Sequence, residues 1–250
     1  MKRFYPAIPF VLIVVILEIA VRRGWIAPYL MAPPSGIWRA LLENSAKLGR
    51  AFFSTMVAAS LGFALSLGIG LAAGIALASS KTLEKIFYPY AVFFQTVPII
   101  SIAPLLVIWF GYGAPTVVAS TFICSVFPIV ANSLTGLKST DPLLIDLFRL
   151  YGARPSYLLM KLRFPSALPN ILTGARIASG LAIIGAIVGE FIGGGGLGGI
   201  VDEARLQQKT ELVFAAVLLS ALLGWLFFGL ISLFSHLLLR RWHPSEKKGA

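Results

Sequence analysis

The sequence has few charged residues and a single cysteine. Asp, Glu, Lys and Arg make up 12% of its 250 residues and hydrophobic residues 58%, whereas soluble domains carry about 25% charged residues. The mean hydropathy is +0.87. Cys124 can form no intrachain disulfide and no cysteine-based metal cluster. These shortages exclude an ordinary soluble domain and predict an integral membrane protein.

The sequence also lacks the motifs of an enzyme. The glycine-rich run from Gly193 to Gly199 has no lysine after it, so it does not predict a phosphate-binding loop. No Ser/His/Asp set, carboxylate pair or Cys/His cluster is present. The spacing of His236 and His243 predicts no metal site. We therefore expect no catalytic residue, and no metal or cofactor bound by this chain. The net charge of +11 is interpreted as the bias of cytoplasmic loops rather than as a nucleic-acid surface.

The long apolar runs predict an all-α membrane protein with six transmembrane helices. Residues 86–137 carry no charge and are too long for one crossing, so Gly111–Pro115 is placed as a turn. The N-terminus resembles a signal peptide without a clear cleavage site and is interpreted as a retained first span. The six predicted spans cover residues 7–21, 51–78, 87–110, 116–137, 168–192 and 212–239.

The distribution of Lys and Arg predicts that both termini are cytoplasmic, because most of the 21 basic residues then fall inside. Residues 1–50 form the first span and an external segment, in which Ile37 to Leu48 predict an amphipathic surface helix. Residues 51–239 form the main membrane domain, with a cytoplasmic segment at 138–167. Residues 240–250 form a basic cytoplasmic tail.

Small residues recur at every fourth position of the second span. They form a stripe that would let another helix approach closely, and we favour packing over a helix that slides during transport. The stripe comprises Ser54, Ala58, Gly62, Ser66, Gly70, Gly74 and Ala78, of which Gly62, Ser66, Gly70 and Gly74 are the central packing residues.

The cytoplasmic segment predicts two short helices separated by a glycine. Asp141 and Pro142 are typical of a helix start, and Gly152 is typical of a left-handed position that ends a helix. Pro155 predicts the next helix, and Pro165 and Pro169 are expected to bracket the start of the fifth span. The residues alone fit a membrane-surface loop and a docking element for a soluble partner equally well.

The segment resembles the cytoplasmic "EAA" motif of ABC-importer permeases. The shared pattern is an acidic residue, a glycine six positions later, and a hydrophobic residue followed by proline. Asp146 stands where the family has Glu, Leu147 and Phe148 replace two alanines, and Phe164 replaces a leucine. The resemblance assigns ATPase docking to Asp146, Arg149, Gly152, Ala153, Arg154, Pro155, Leu162, Phe164 and Pro165.

Further runs starting at Gln95, Ala103 and Gly189 are similar to the nitrate/sulfonate/taurine branch of those permeases. The resemblance implies a MetI-like, type I importer bundle in the bacterial cytoplasmic membrane. It also implies a second permease copy, two cytoplasmic ATPases that hold ATP and Mg²⁺, and an extracytoplasmic binding protein. A small anion, or a heterocycle such as a thiamine precursor or a riboflavin-type compound, is the implied solute. A channel, an ion-driven carrier and a membrane-embedded enzyme are the alternatives.

Polar residues within the apolar spans mark a candidate pathway. Gln95 and Thr96 precede Pro98, where a broken helix would present backbone groups to a solute. Asn132 and Glu190 complete the candidate set, and a structural role is also open for Glu190. Arg176 is expected to extend towards the cytoplasmic surface.

Overall fold

A computed structural model describes residues 7–27 and 29–239, and this part of the chain is helical. The predicted tail at 240–250 lies outside the described residues. The helices are α1 (Ala7–Arg22), α2 (Pro34–Glu43), α3 (Ser45–Ser79), α4 (Lys81–Thr96), α5 (Ile99–Phe110), α6 (Ala114–Lys138), α7 (Pro142–Leu150), α8 (Pro155–Leu158), α9 (Phe164–Gly193), α10 (Gly196–Leu206) and α11 (Thr210–Leu239). A π-helical turn, Leu159–Arg163, joins α8 to α9.

Four helices are long and apolar enough to cross a membrane: α3, α6, the continuous helix Pro155–Gly193, and α11. The pair α4 and α5 passes the same test only when counted together, and it is bent by 100°. An all-helical membrane protein is thereby confirmed, with four or five candidate spans among the described residues. Helix α1 has 16 residues, fewer than the roughly 20 that span a bilayer.

Helix α6 lies at the centre of the bundle, between α3 and α9. The small residues of α3 face α6 at matched positions. A Cβ added to Gly62 would lie 2.5 Å from Thr121, and one added to Gly74 would lie 2.6 Å from Ser133. Between these pairs the Ser66 hydroxyl lies 2.7 Å from the Ser125 hydroxyl. Because residue numbers rise together on both helices, α3 and α6 run parallel in close contact.

Helix α9 packs against the other side of α6 in the opposite direction. Gly136, near the end of α6, meets Asn170 near the start of α9. Gly189, near the end of α9, meets Val117 near the start of α6. Glycines at these contacts let the two backbones approach more closely than side chains would permit. Helix α9 therefore runs antiparallel to α6 and contacts it along most of its length.

The predicted third span, residues 87–110, is not a straight helix. Pro98 precedes α5, and Val97 adopts an extended conformation, as steric contact with a following proline favours. Residues 81–96 and 99–110 therefore form two helices at a sharp angle. Helix α4 has no buried residue and lies at the edge of the bundle, whereas α5 buries Ala103 and Leu106.

The prolines at 165 and 169, predicted to bracket the start of the fifth span, do not interrupt the helix. The helix is continuous from Pro155 to Gly193. Pro165 lies in the first turn of α9, directly after the π-helical turn. A π turn changes the hydrogen-bond register, and proline has no N–H to place in it. The interruption expected at these prolines is thereby absorbed within one helix.

The external amphipathic helix predicted over residues 37–48 is divided. Helix α2 ends at Glu43, and Leu48 belongs to α3, which begins at Ser45. The Asn44 amide donates to the Ala40 carbonyl (3.0 Å) and thereby caps the end of α2. Helix α3 consequently passes without a break through residue 50 and joins the N-terminal segment to the bundle.

Candidate functional site

A cavity of about 570 Å³ lies beside the bend between α4 and α5. It brings together Gln95, Thr96, Pro98 and Asn132, four of the five residues predicted for the pathway. Its walls come from the α4–α5 bend, α6 and α9. The lining residues are Phe94, Gln95, Thr96, Val97, Pro98, Ile99, Ile123, Cys124, Phe127, Pro128, Ala131, Asn132, Ile177, Leu181 and Ile184.

The polar groups of the cavity are amides, hydroxyls and backbone. The Asn132 Nδ2 donates to the Pro128 carbonyl (2.8 Å), a carbonyl close to the cavity wall. The Thr96 hydroxyl donates to the Phe93 carbonyl (2.7 Å). Gln95 is exposed, and within residues 7–27 and 29–239 its amide has no hydrogen-bond partner. The Gln95 amide is therefore available to a solute as both donor and acceptor.

No Asp, Glu, Lys, Arg or His side chain lines this cavity. Its remaining surface is aliphatic and aromatic, including Phe94 and Phe127. Such a surface binds through apolar contact, ring stacking and a few hydrogen bonds. It offers no opposite charge to a small anion.

Glu190 does not line the cavity and forms a buried junction with α3 and α10. Its side chain is 1% exposed. Its Oε2 accepts from the Thr55 hydroxyl (2.9 Å) and from the Gly198 N–H (3.0 Å). The Thr55 oxygen in turn accepts from the Leu197 N–H (3.0 Å). This junction ties α3, α9 and the start of α10 together.

The turn between α9 and α10 is shaped around Glu190. Gly194, Gly195 and Gly196 have φ of 79°, 85° and 53°, values that favour glycine. A Cβ on Gly196 would overlap the Glu190 carboxylate. The glycine run, which the sequence excluded as a phosphate loop, therefore serves the chain reversal that delivers backbone N–H groups to Glu190.

The segment at residues 138–167 forms the predicted helix–glycine–helix hairpin. The Asp141 side chain accepts from the Leu143 N–H (2.9 Å), which caps α7. Gly152 has φ 72° and its N–H donates to the Arg149 carbonyl (2.9 Å). Open space surrounds the position where Gly152 would carry a Cβ. The tip of the hairpin is thus a bare glycine turn, followed by Ala153.

The hairpin presents large apolar side chains to its surroundings. Leu143, Leu150, Tyr151 and Met160 are 71–85% exposed, and the Asp146–Arg149 ion pair (3.4 Å) lies on the same exposed segment. Arg154 and Pro155 are also exposed. Leu162, by contrast, is 8% exposed, and Phe164 packs against the buried cluster at the base of α9. The motif residues Asp146, Arg149, Arg154 and Pro155 are therefore exposed. Leu162 and Phe164 instead anchor the hairpin.

Two features of this structure had no signal in the sequence. Lys47 and Glu203, 156 positions apart, form an ion pair at 2.7 Å, and the Lys47 hydrogen bond and charge lower the pKa of Glu203. Arg176 donates to the Ser235 hydroxyl (3.0 Å), four positions before the end of α11 at Leu239, and its extension towards the cytoplasmic surface stays a prediction. Across the described ranges, no group of His, Cys, Asp and Glu side chains is arranged to hold a metal ion.

Comparison with known proteins gives a consistent result. Residues 64–243 match the family model described as binding-protein-dependent transport system inner membrane component. The formylaminopyrimidine transport permease protein ThiX of Halalkalibacterium halodurans is 38% identical over 99% of this chain and 100% of its own length. The riboflavin transport system permease protein RibX of Chloroflexus aurantiacus is 37% identical, with coverages of 83% and 77%.

A relative from Escherichia coli strain K12, the putative aliphatic sulfonates transport permease protein SsuC, is 33% identical over 93% of this chain and 89% of its own. Among solved structures, an inward-facing form of the MetNI methionine ABC transporter matches with a TM-score of 0.66 at 20% identity, covering 76% of this chain and 94% of that one. This likeness shows that the fold is MetI-like. The chain belongs to the binding-protein-dependent transport system inner membrane component family, as the multi-pass permease subunit of an ABC importer whose ATPase is a separate subunit.

Proposed function

We propose that this permease crosses the inner membrane six times, with both termini in the cytoplasm. Helix α1 would be the first span and the bent pair α4–α5 the third. The parallel course of α3 and α6, with α9 antiparallel to both, supports this order. The basic residues around the hairpin support its cytoplasmic position.

We propose further that the hairpin α7–α8 is where a cytoplasmic ATPase docks, one on each of two permease copies. Exposed apolar side chains on a short amphipathic helix fit a groove on a partner. The hairpin then continues as one helix from Pro155 to Gly193, 39 residues long, or about 58 Å at the helical rise. Ile177, Leu181 and Ile184 of this helix line the cavity. A push on the hairpin would therefore reach the pathway through a single rigid element, powered by ATP and Mg²⁺ in the partner.

The solute best supported is a small neutral heterocycle of the formylaminopyrimidine type, delivered by an extracytoplasmic binding protein. The observation that carries this proposal is the cavity, which has aromatic walls and two amides but no ionisable Lys, Arg or His. A planar ring with amine and carbonyl groups can stack there and hydrogen-bond to Gln95 and Asn132. The full-length similarity to a formylaminopyrimidine permease agrees with this chemistry. An aliphatic sulfonate would leave its charge unpaired in the cavity.

Uptake by the reconstituted transporter tests the solute. The permease, its ATPase and its binding protein are placed in proteoliposomes, and ATP-dependent uptake of labelled formylaminopyrimidine, taurine and riboflavin is measured. We expect uptake of formylaminopyrimidine, with a loss of at least tenfold in kcat/KM for Gln95→Leu. Uptake of taurine without uptake of formylaminopyrimidine would show the solute assignment to be wrong.

The docking proposal is tested separately at Gly152. Gly152→Asp adds a charged side chain and strains a residue with positive φ, so we expect the ATPase to be lost on co-purification while the permease still inserts. Gly24→Asp is the matched control, because Gly24 also has positive φ (74°) and open space around it. Normal recovery of the ATPase with Gly152→Asp would contradict docking at this hairpin.

A further inference from the structure

Arg176 is an unusual residue in this bundle because it is a charged side chain between two apolar helices. It is half-buried, and its Nη2 donates to the Ser235 hydroxyl of α11 (3.0 Å). Its Nε is buried and, among the described residues, has no hydrogen-bond partner. The hydroxyl of Ser232, one turn from Ser235 on α11, is also buried and has no hydrogen-bond partner among the described residues. The Arg176 guanidinium thus has one hydrogen-bond partner, on α11, and the exposed part of its side chain remains open to a further partner.

No carboxylate of the described chain neutralises this guanidinium. Arg176 takes part in none of the ion pairs found in residues 7–27 and 29–239. Glu190 is 14 positions away on α9, about 21 Å at the helical rise. Helices α3 and α6 contain no Asp or Glu. Because arginine stays protonated in proteins and an unpaired charge is costly in a membrane, the counter-charge must come from outside these residues.

Arg176 faces away from the cavity. On α9, Ile177, Leu181 and Ile184 line the cavity, whereas Ile183, two turns from Arg176 on the same helix face, lies against Gly224 of α11. Arg176 therefore belongs to the α11 side of the helix. A solute in the cavity is on another face and does not supply the missing negative charge.

The depth of Arg176 places it at a headgroup layer. It precedes Gly193 by 17 positions, about 26 Å along α9, close to the roughly 30 Å thickness of the hydrocarbon. Its partner Ser235 lies one turn before Leu239, and the next two residues in the sequence are Arg240 and Arg241. The assignment of this layer to the inner leaflet rests on the proposed orientation of the chain.

We propose that the Arg176 guanidinium, oriented by its hydrogen bond to Ser235 of α11, binds the phosphate of an anionic phospholipid. Basic recesses between transmembrane helices on the cytoplasmic side are suited to anionic headgroups. Phosphate accepts the several parallel hydrogen bonds that a guanidinium donates. Beside Ser235 on α11, Leu233, Phe234 and Leu237 are 56–57% exposed and provide apolar contact for the acyl chains. The site needs no transport activity, so its test is independent of the solute.

Lipid-dependent thermal stability of the detergent-solubilised permease–ATPase complex tests the site. The complex is titrated with dioleoylphosphatidylglycerol, dioleoylphosphatidylcholine or inorganic phosphate, and the melting temperature is followed. We expect saturable stabilisation by phosphatidylglycerol alone, with about fivefold weaker apparent affinity in Arg176→Gln, the effect of about one basic residue on an anionic lipid. Arg39→Gln removes an exposed charge elsewhere and should leave the titration unchanged.

Three results would overturn the proposal. An unchanged phosphatidylglycerol titration in Arg176→Gln would show that the lipid acts elsewhere. Equal stabilisation by inorganic phosphate would identify a site for a free anion, and dissociation of permease dimers in Arg176→Gln would identify a second copy as the partner. If Arg176→Gln yields no folded protein, Ser235→Ala keeps the charge but removes the hydroxyl. It should weaken the phosphatidylglycerol effect at least twofold, and a wild-type titration would refute the site.

Discussion

Removal of the Glu190 carboxylate should destabilise the permease more than removal of any exposed carboxylate. Glu190→Ala leaves the buried Gly198 N–H without its acceptor and takes away the partner of the Thr55 hydroxyl, at a cost of about 1–3 kcal/mol for an orphaned buried group. The space left by the side chain adds to this cost. We expect a total of about 2–4 kcal/mol, or a fall in melting temperature of roughly 5–10 °C for a chain of this size.

Two further variants make the test specific. Glu190→Gln keeps a side-chain carbonyl of nearly the same shape, so it should lose about 1 kcal/mol or less of stability. Glu43→Ala removes an exposed carboxylate and should leave the melting temperature within about 1 °C of wild type. The assay is thermal unfolding of the purified permease followed by circular dichroism. A Glu190→Ala melting temperature equal to that of Glu43→Ala would refute the reasoning that this junction holds α3, α9 and α10 together.

Three other outcomes are expected. Gly68→Ala, in open space on α3, should stabilise the protein by about 0.5–1 kcal/mol. Gly74→Ala, whose Cβ would lie 2.6 Å from an α6 side chain, should destabilise it by about 1–3 kcal/mol. Changes in melting temperature of the same sign in both variants would contradict the packing. Cys124, the single cysteine, lines the cavity, so transported solute should slow its alkylation by maleimide at least twofold, and an unchanged rate would place the solute elsewhere. Because the pKa of Glu203 is lowered, its ion pair with Lys47 contributes stability above the ordinary Glu pKa, and this stability is lost as the pH falls through the lowered pKa. Lys47→Met should abolish that acid-side loss of stability. The measurement is the melting temperature between pH 3 and 6.

Features encoded by neighbouring residues were predictable. The cap at Asp141, the turn at Gly152 and the four-residue spacing from Gly62 to Gly74 each depend on fewer than fifteen consecutive positions, and helix geometry fixes their relation. The structure has the capped helix, the positive φ and the flat helix face where the pattern put them. The identity of the hairpin as a helix–glycine–helix element followed for the same reason, because helix ends are set by local hydrogen bonding.

Other features arise between distant segments and left no local pattern. Gln95 and Asn132 meet in one cavity because the chain bends by 100° near Pro98, and no composition rule gives that angle. The sequence left both a pathway role and a structural role open for Glu190, and its contact with Thr55, 135 positions away in the sequence, brings it to a separate junction. Proline normally signals a helix boundary, yet the π-helical turn before Pro165 carries the helix onwards.

The sequence by itself determined that this chain is an all-helical membrane protein with a helix–glycine–helix hairpin, because hydrophobicity, helix period and glycine or proline conformations act over short stretches. Tertiary structure alone decided which polar residues share the cavity, which carboxylate is buried and which arginine faces a neighbouring helix. Those relations depend on how helices cross and how closely their small residues let them approach. They depend on contacts between residues up to 181 positions apart, which a reading of consecutive residues does not contain.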